Sequence, residues 1–291
     1  MIDLILLFLG ILGLLAASYS DIKTTEVPDW ICYSLIISGL SLRFLEYLNS
    51  GNFYALKITL LSFLIFFIIG NIMYYIRQWG GGDAKLIMAI AVIFAVYPSS
   101  LLSIFSPKLD HSYFPIAIFI NILIVGMIYT IIFTVYLSIK NIEPLKKEMN
   151  LYFEKTQSTR KIFLILSILL IVLALIIEDI VVKIIMFSSS ASVLFLLYFW
   201  IYIKSVEKAC MYKKIQVSNL LEGDWLTQDV YKNNKLILRK PKYGLTKDNI
   251  GLLKKNDIKI VEVKQGIVFV PVFLISVMIS LIFGNIVNYI I

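Results

Sequence analysis

Long apolar runs with few charges constrain this chain more than any other feature. Crossing a hydrocarbon core takes about 20 helical residues. Eight runs approach or exceed that length, at residues 2–19, 30–48, 54–76, 84–97, 114–139, 162–177, 181–203 and 267–290. The runs at 84–97 and 162–177 are short, and the first of these has room to continue to Phe105. Of all residues 59% are hydrophobic and 16% charged. A soluble globular chain is nearer half apolar and a quarter charged. The expectation is an all-α polytopic membrane protein of about eight transmembrane helices. The apolar stretch at 1–17 lacks a basic leading region, so it reads as a retained first span rather than a cleaved signal.

The basic residues test orientation. On one side of the expected spans lie 23 of the 27 Lys and Arg residues, and on the other only Arg43, Lys57, Lys108 and Lys183. Cytosolic loops carry the excess of Lys and Arg. The rich side is therefore expected to be cytosolic, with both termini outside. The net charge of +8 then follows from topology and not from nucleic acid, although a polybasic surface also suits anionic lipid head groups.

Two segments stand apart from the membrane runs. Residues 141–160 read as a charged loop containing Pro144. Residues 204–265 read as a small cytosolic α/β insert before the last helix. Strand-like alternation appears at 235–238 and 259–263, and helical spacing at 245–253. The expected division is a membrane-embedded domain at 1–203, the insert at 204–266 and a C-terminal transmembrane helix at 267–291.

Two acidic residues sit where spans meet the cytosol. Asp21 lies in Tyr19-Ser20-Asp21-Ile22-Lys23-Thr24-Thr25-Glu26-Val27-Pro28-Asp29, and Asp83 in Trp79-Gly80-Gly81-Gly82-Asp83-Ala84-Lys85. Two crossings separate them, so both return to one face. Neighbouring carboxylates do not both ionise easily, so one keeps a proton. Such a pair activates water with its ionised member and polarises a carbonyl with the other. Gly80, Gly81 and Gly82 remove side chains beside Asp83 and free the backbone there. Asp83 also suits an N-cap position. Trp30 and Trp79 read as interfacial anchors.

Other chemistries find little support. The only histidine, His111, falls in an outer loop, and Cys32 and Cys210 form no CxxC pair. Neither Ser-His nor Cys-His hydrolysis, a zinc site, nor a disulfide framework is indicated, and no metal or cofactor is expected. A transporter would place its carboxylates nearer mid-bilayer. A membrane anchoring protein would use the basic segments and tolerate loss of both aspartates.

The two acidic segments together resemble the type IV prepilin peptidase family, in particular its archaeal prepilin and preflagellin branch. Members carry a G-x-G-D motif at the start of a span, matched by Gly80-Gly81-Gly82-Asp83. An earlier catalytic Asp is followed by a basic residue and an Ile/Val-Pro pair, matched by Asp21, Lys23, Val27, Pro28 and Asp29. The resemblance covers about the first 140 residues. In the tail, Leu220-Leu221-Glu222-Gly223-Asp224 and the Pro271 segment are similar to some archaeal members. The resemblance implies an aspartic endopeptidase with Asp21 and Asp83 as the catalytic pair. Its substrates would be pilin-like or preflagellin precursors with short basic leaders. Glu26 and Asp29 are candidates for meeting that leader. The paired CxxC domain of bacterial members is absent, so cleavage without methylation is implied. Many relatives have a basic residue where this chain has Thr25. Presenilin-type proteases share GxGD. They have a Tyr-Asp pair, where here Ser20 separates Tyr19 from Asp21, and a Pro-Ala-Leu element, where here Val272 and Phe273 follow Pro271.

Overall fold

The computed structural model describes residues 2–109, 113–242 and 244–289. His111 lies outside the described residues, as does the end of the run expected at 267–290. The chain divides into two units, residues 1–131 with 266–291, and residues 132–265.

The first unit begins with three long helices, α1 (Ile2–Thr24), α2 (Asp29–Ser50) and α3 (Tyr54–Tyr75). They surround α4 (Gly81–Ile93), whose residues Leu86 to Ile93 are all buried. Small residues let backbones approach closely in membrane helices. A Cβ on Gly10 of α1 would lie 2.5 Å from the Phe94 ring, and one on Gly39 of α2 would lie 2.6 Å from Val92. Gly70 of α3 meets the Ala84 carbonyl in the same way, at 2.8 Å. One glycine on each outer helix thus seats the inner one.

The expected count of eight spans is not confirmed. Among the described residues, six helices are long and apolar enough to cross a membrane. The α4 helix has 13 residues, about 20 Å at 1.5 Å per residue, against a core of about 30 Å. A helix apolar all round is a buried helix as readily as a span, and α4 is enclosed by its neighbours along most of its length. It does not run on to Phe105, because the chain turns before Pro98 and restarts as α5 (Ser99–Phe105). The last apolar run is also shorter than expected. After α6 (Phe114–Lys140), which starts in this unit, the chain returns as α11 (Val270–Phe283). The α11 helix stops at Gly284, which has φ +78° and packs against the Lys108 backbone. Lys108 N–H donates to the Phe283 carbonyl at 3.0 Å, and Asn285 N–H donates to the Lys108 carbonyl at 3.2 Å. Buried Asn121 of α6 ties this end together. Its amide donates to Ser280 Oγ and the Gly284 carbonyl, both at 2.7 Å, and its oxygen accepts the Ile286 N–H at 3.0 Å.

The second unit holds α7 (Ile142–Lys155), α8 (Gln157–Ile176) and α9 (Ile180–Val206). Residues 141–160 are thus mostly helix and not the expected loop. Pro144 falls in the first turn of α7, where its missing N–H costs no helical bond. The apolar side of α7 packs on α9, with Tyr152 edge-on to Trp200 and Lys208 paired with Glu148 at 2.8 Å. The hairpin of α8 and α9 is pinned by a buried Ser167–Ser190 hydrogen bond of 2.7 Å.

Beyond α9 the chain forms β1 (Tyr212–Gln216), β2 (Trp225–Leu226), β3 (Val230–Lys232), β4 (Lys235–Leu238), α10 (Lys247–Lys255) and β5 (Ile260–Lys264). One antiparallel sheet has the order β1-β5-β2, with Tyr212 opposite Lys264 and Gln216 opposite Ile260. The β3–β4 hairpin turns through Asn233 and Asn234, both at positive φ, as a two-residue turn of matching twist requires. Thr246 caps α10 by accepting the Asn249 N–H. Val217, Leu226, Leu238, Leu253, Val261 and Val263 form the apolar centre of this part.

Candidate active site

Asp21 lies in the last turn of α1 and is only 7% exposed. Thr25 ends the helix in a left-handed conformation, φ +57°, with its N–H donating to the Asp21 carbonyl at 2.8 Å. Such a residue past a helix end lets the chain reverse. The turn is tied by Ser20 Oγ, which donates to the Glu26 carbonyl at 2.9 Å. Glu26 is exposed, and Val27 and Pro28 lead into α2.

The Asp21 carboxylate has a partner that its own segment does not hint at. Val270 N–H, at the start of α11, donates to Asp21 Oδ2 at 2.9 Å. The first N–H groups of a helix lack intrahelical acceptors, and a carboxylate there also meets the positive end of the helix dipole. Pro271 follows at the second helical position. A proline in a first turn signals a helix start, but not which distant group receives its orphan donor.

Asp83 stands in the first turn of α4 and is half-buried. It is the third helical residue and not the N-cap. Gly80 occupies the cap, and Asp83 Oδ2 accepts the Gly80 N–H at 3.0 Å. Asp83 lies within electrostatic range of Asp21. The three glycines differ in what surrounds them. A Cβ on Gly82 would stand 3.0 Å from Val27 Cβ, whereas Gly80 and Gly81 have more room, with nearest approaches of 3.5 and 3.9 Å. Trp79 is 9% exposed and stacks edge-on against Phe119 and Phe273, so it is a core residue and not an interfacial anchor. Trp30 is 69% exposed.

Asp29 opens α2, and Lys85 Nζ reaches its Oδ1 at 2.5 Å. The same ammonium lies 5.7 Å from the Tyr33 ring centre. The sequence marks Asp29 as a candidate but carries no sign of its pairing with Lys85 or of Val27 against Gly82. Cys32 is fully buried, and among the described residues no three His, Cys, Asp or Glu side chains gather to hold a metal ion.

The segments holding Asp21 and Asp83 fall inside one matched region. Residues 8–133 match the model of the type IV leader peptidase family. The leader peptidase match thus takes in most of α1, all of α2 to α5 and most of α6. Over 137 residues the chain is 33% identical to a preflagellin peptidase of Methanococcus voltae, covering 46% of this chain and 57% of that protein. A preflagellin peptidase of Methanocaldococcus jannaschii is 29% identical over 143 residues, 48% of this chain and 60% of the relative. The prepilin peptidase EppA of Methanothermobacter thermautotrophicus is 26% identical over 140 residues, 47% of this chain and 36% of the relative. The matches therefore span no more than 60% of these relatives' own lengths. No solved structure matches the chain.

Proposed function

We propose that this chain is a membrane aspartic endopeptidase that removes the basic leader from pilin-like or preflagellin precursors at the cytosolic face. One observation carries the reading. The leader peptidase match contains Asp21 at the end of α1 and Asp83 at the start of α4, whose flanking segments touch at Val27 and Gly82. Two carboxylates within each other's field are the apparatus of aspartic hydrolysis.

In this mechanism the ionised carboxylate takes a proton from a water. The resulting hydroxide adds to the scissile carbonyl carbon, while the protonated carboxyl gives its proton to the carbonyl oxygen. The C–N bond then breaks, and the new amine takes up a proton. The two groups titrate as a pair, so their roles belong to the pair. A substrate helix hides its carbonyls, and unpaired backbone is costly in lipid. The scissile segment must therefore unwind against the enzyme, and Gly80 and Gly81, which put no side chain beside Asp83, leave room for it.

The cytosolic assignment rests on the distribution of Lys and Arg in the sequence. Exposed Glu26, in the turn after Asp21, is our candidate for contact with the basic leader. Asp29 is already paired with Lys85. The test is to incubate membranes containing the chain with pilin-like and preflagellin precursors and read leader removal by mass. Release of the leader at one bond supports the reading. Precursors that stay intact beside well-expressed chain contradict it.

A further inference from the structure

Two contacts join the turn after Asp21 to the first turns of α4. One is steric, Val27 against Gly82. The other is ionic, Asp29 against Lys85 at 2.5 Å. Asp29 and Tyr33 are four residues apart on α2, so they share one face, and Lys85 reaches both. Lys85 lies two residues after Asp83 on a helix whose following residues are all buried. Asp29 lies eight residues after Asp21, across a turn tied by the Ser20 hydrogen bond. The bridge thus links the two segments that present the two aspartates.

From this we infer that Asp29 and Lys85 are positioning residues that set the spacing of Asp21 and Asp83, and that Asp29 does not bind the leader. The inference rests on the peptidase reading above. Lys85 is 34% and Asp29 57% exposed, and ion pairs this open contribute little to folding. Their effect is therefore on local geometry, where a misplacement of about 1 Å can cost about a hundredfold in rate. A residue that binds leader in the ground state and transition state alike would change KM with kcat unchanged.

The experiment measures kcat and KM for one precursor in membranes. It uses Asp29→Lys, Lys85→Asp, the double swap and the conservative Lys85→Arg. Each charge reversal should lower kcat by about tenfold or more, with KM within about twofold of wild type. The double swap should recover at least about fivefold over the worse single variant, and Lys85→Arg should stay within about threefold of wild type. A loss carried wholly by KM, or a double swap no better than the worse single, overturns the inference while leaving the peptidase reading in place. A wild-type chain that cuts no precursor overturns both, and the wild-type lane shows this before any variant is compared.

Discussion

Gly70 and the Ala84 carbonyl stand so close that a Cβ on Gly70 would lie 2.8 Å from the oxygen. Ala84 follows Asp83, so α3 presses directly on the backbone that holds the candidate catalytic group. A backbone carbonyl in a helix cannot swing aside as a side chain can. Gly70→Ala should therefore shift the start of α4 and destabilise the chain by about 1–3 kcal/mol. Thermal unfolding in detergent and precursor cleavage should both suffer. Gly251→Ala, with nothing within 4 Å, is the control and should leave cleavage unchanged. Equal behaviour of the two variants would remove the α3–α4 contact from the account.

Gly82 faces Val27 Cβ at 3.0 Å from its missing Cβ. Gly82→Ala should therefore reduce cleavage by about tenfold, as expected of a small displacement of a reacting group. Val27→Ala in the same chain should restore part of the loss, because it removes the atoms in the way. A double variant as impaired as Gly82→Ala alone would mean that Gly82 matters for another reason.

Asn121 uses its whole amide, and each of its partners at Ser280, Gly284 and Ile286 lies near the end of α11. Asn121→Leu keeps the size but leaves a buried carbonyl and an N–H without that partner. The cost is about 1–3 kcal/mol, read as a lower melting temperature in detergent. A wild-type Tm would show that these groups find other partners.

Asp224 supplies a pH dependence outside the membrane helices. Burial pushes its carboxyl above the ordinary value of 3.8, against the opposing effect of the Leu221 N–H that donates to it at 2.8 Å. The folded chain thus holds this proton more tightly than the unfolded chain. The stabilisation is complete below 3.8 and is lost as pH rises through the raised folded value. Asp224→Asn keeps an acceptor for Leu221 and has no charge to bury. Its Tm should exceed wild type at neutral pH and converge on it in acid. A lower Tm at neutral pH would contradict the account.

The long helices were legible because each is a run of apolar residues bounded by polar turns. Two elements between β1 and α11 were legible too. Lys235–Leu238 is β4, and the spacing at 245–253 announced α10. The errors share a cause. Hydropathy reports how apolar a segment is, not what surrounds it, so the sequence does not show that protein encloses α4. Trp79 read as an anchor for the same reason. Helix α7 was hidden by its charges and by Pro144. At the candidate site, motif spacing pointed to Asp21, Asp83 and the glycines. The Val270 N–H on Asp21 joins residues 249 positions apart, and no local pattern in the sequence carries such a pairing.

The central claim is that Asp21 and Asp83 act together on one peptide bond. Its most direct test is leader removal from a precursor by membranes holding wild type, Asp21→Asn, Asp83→Asn or both. Asparagine keeps the size of aspartate but cannot exchange the proton. The account predicts that each single variant loses cleavage by about a thousandfold or more at wild-type expression, and that the double is no worse than either, as for residues that act as a unit. Wild-type cleavage by either single variant would contradict it.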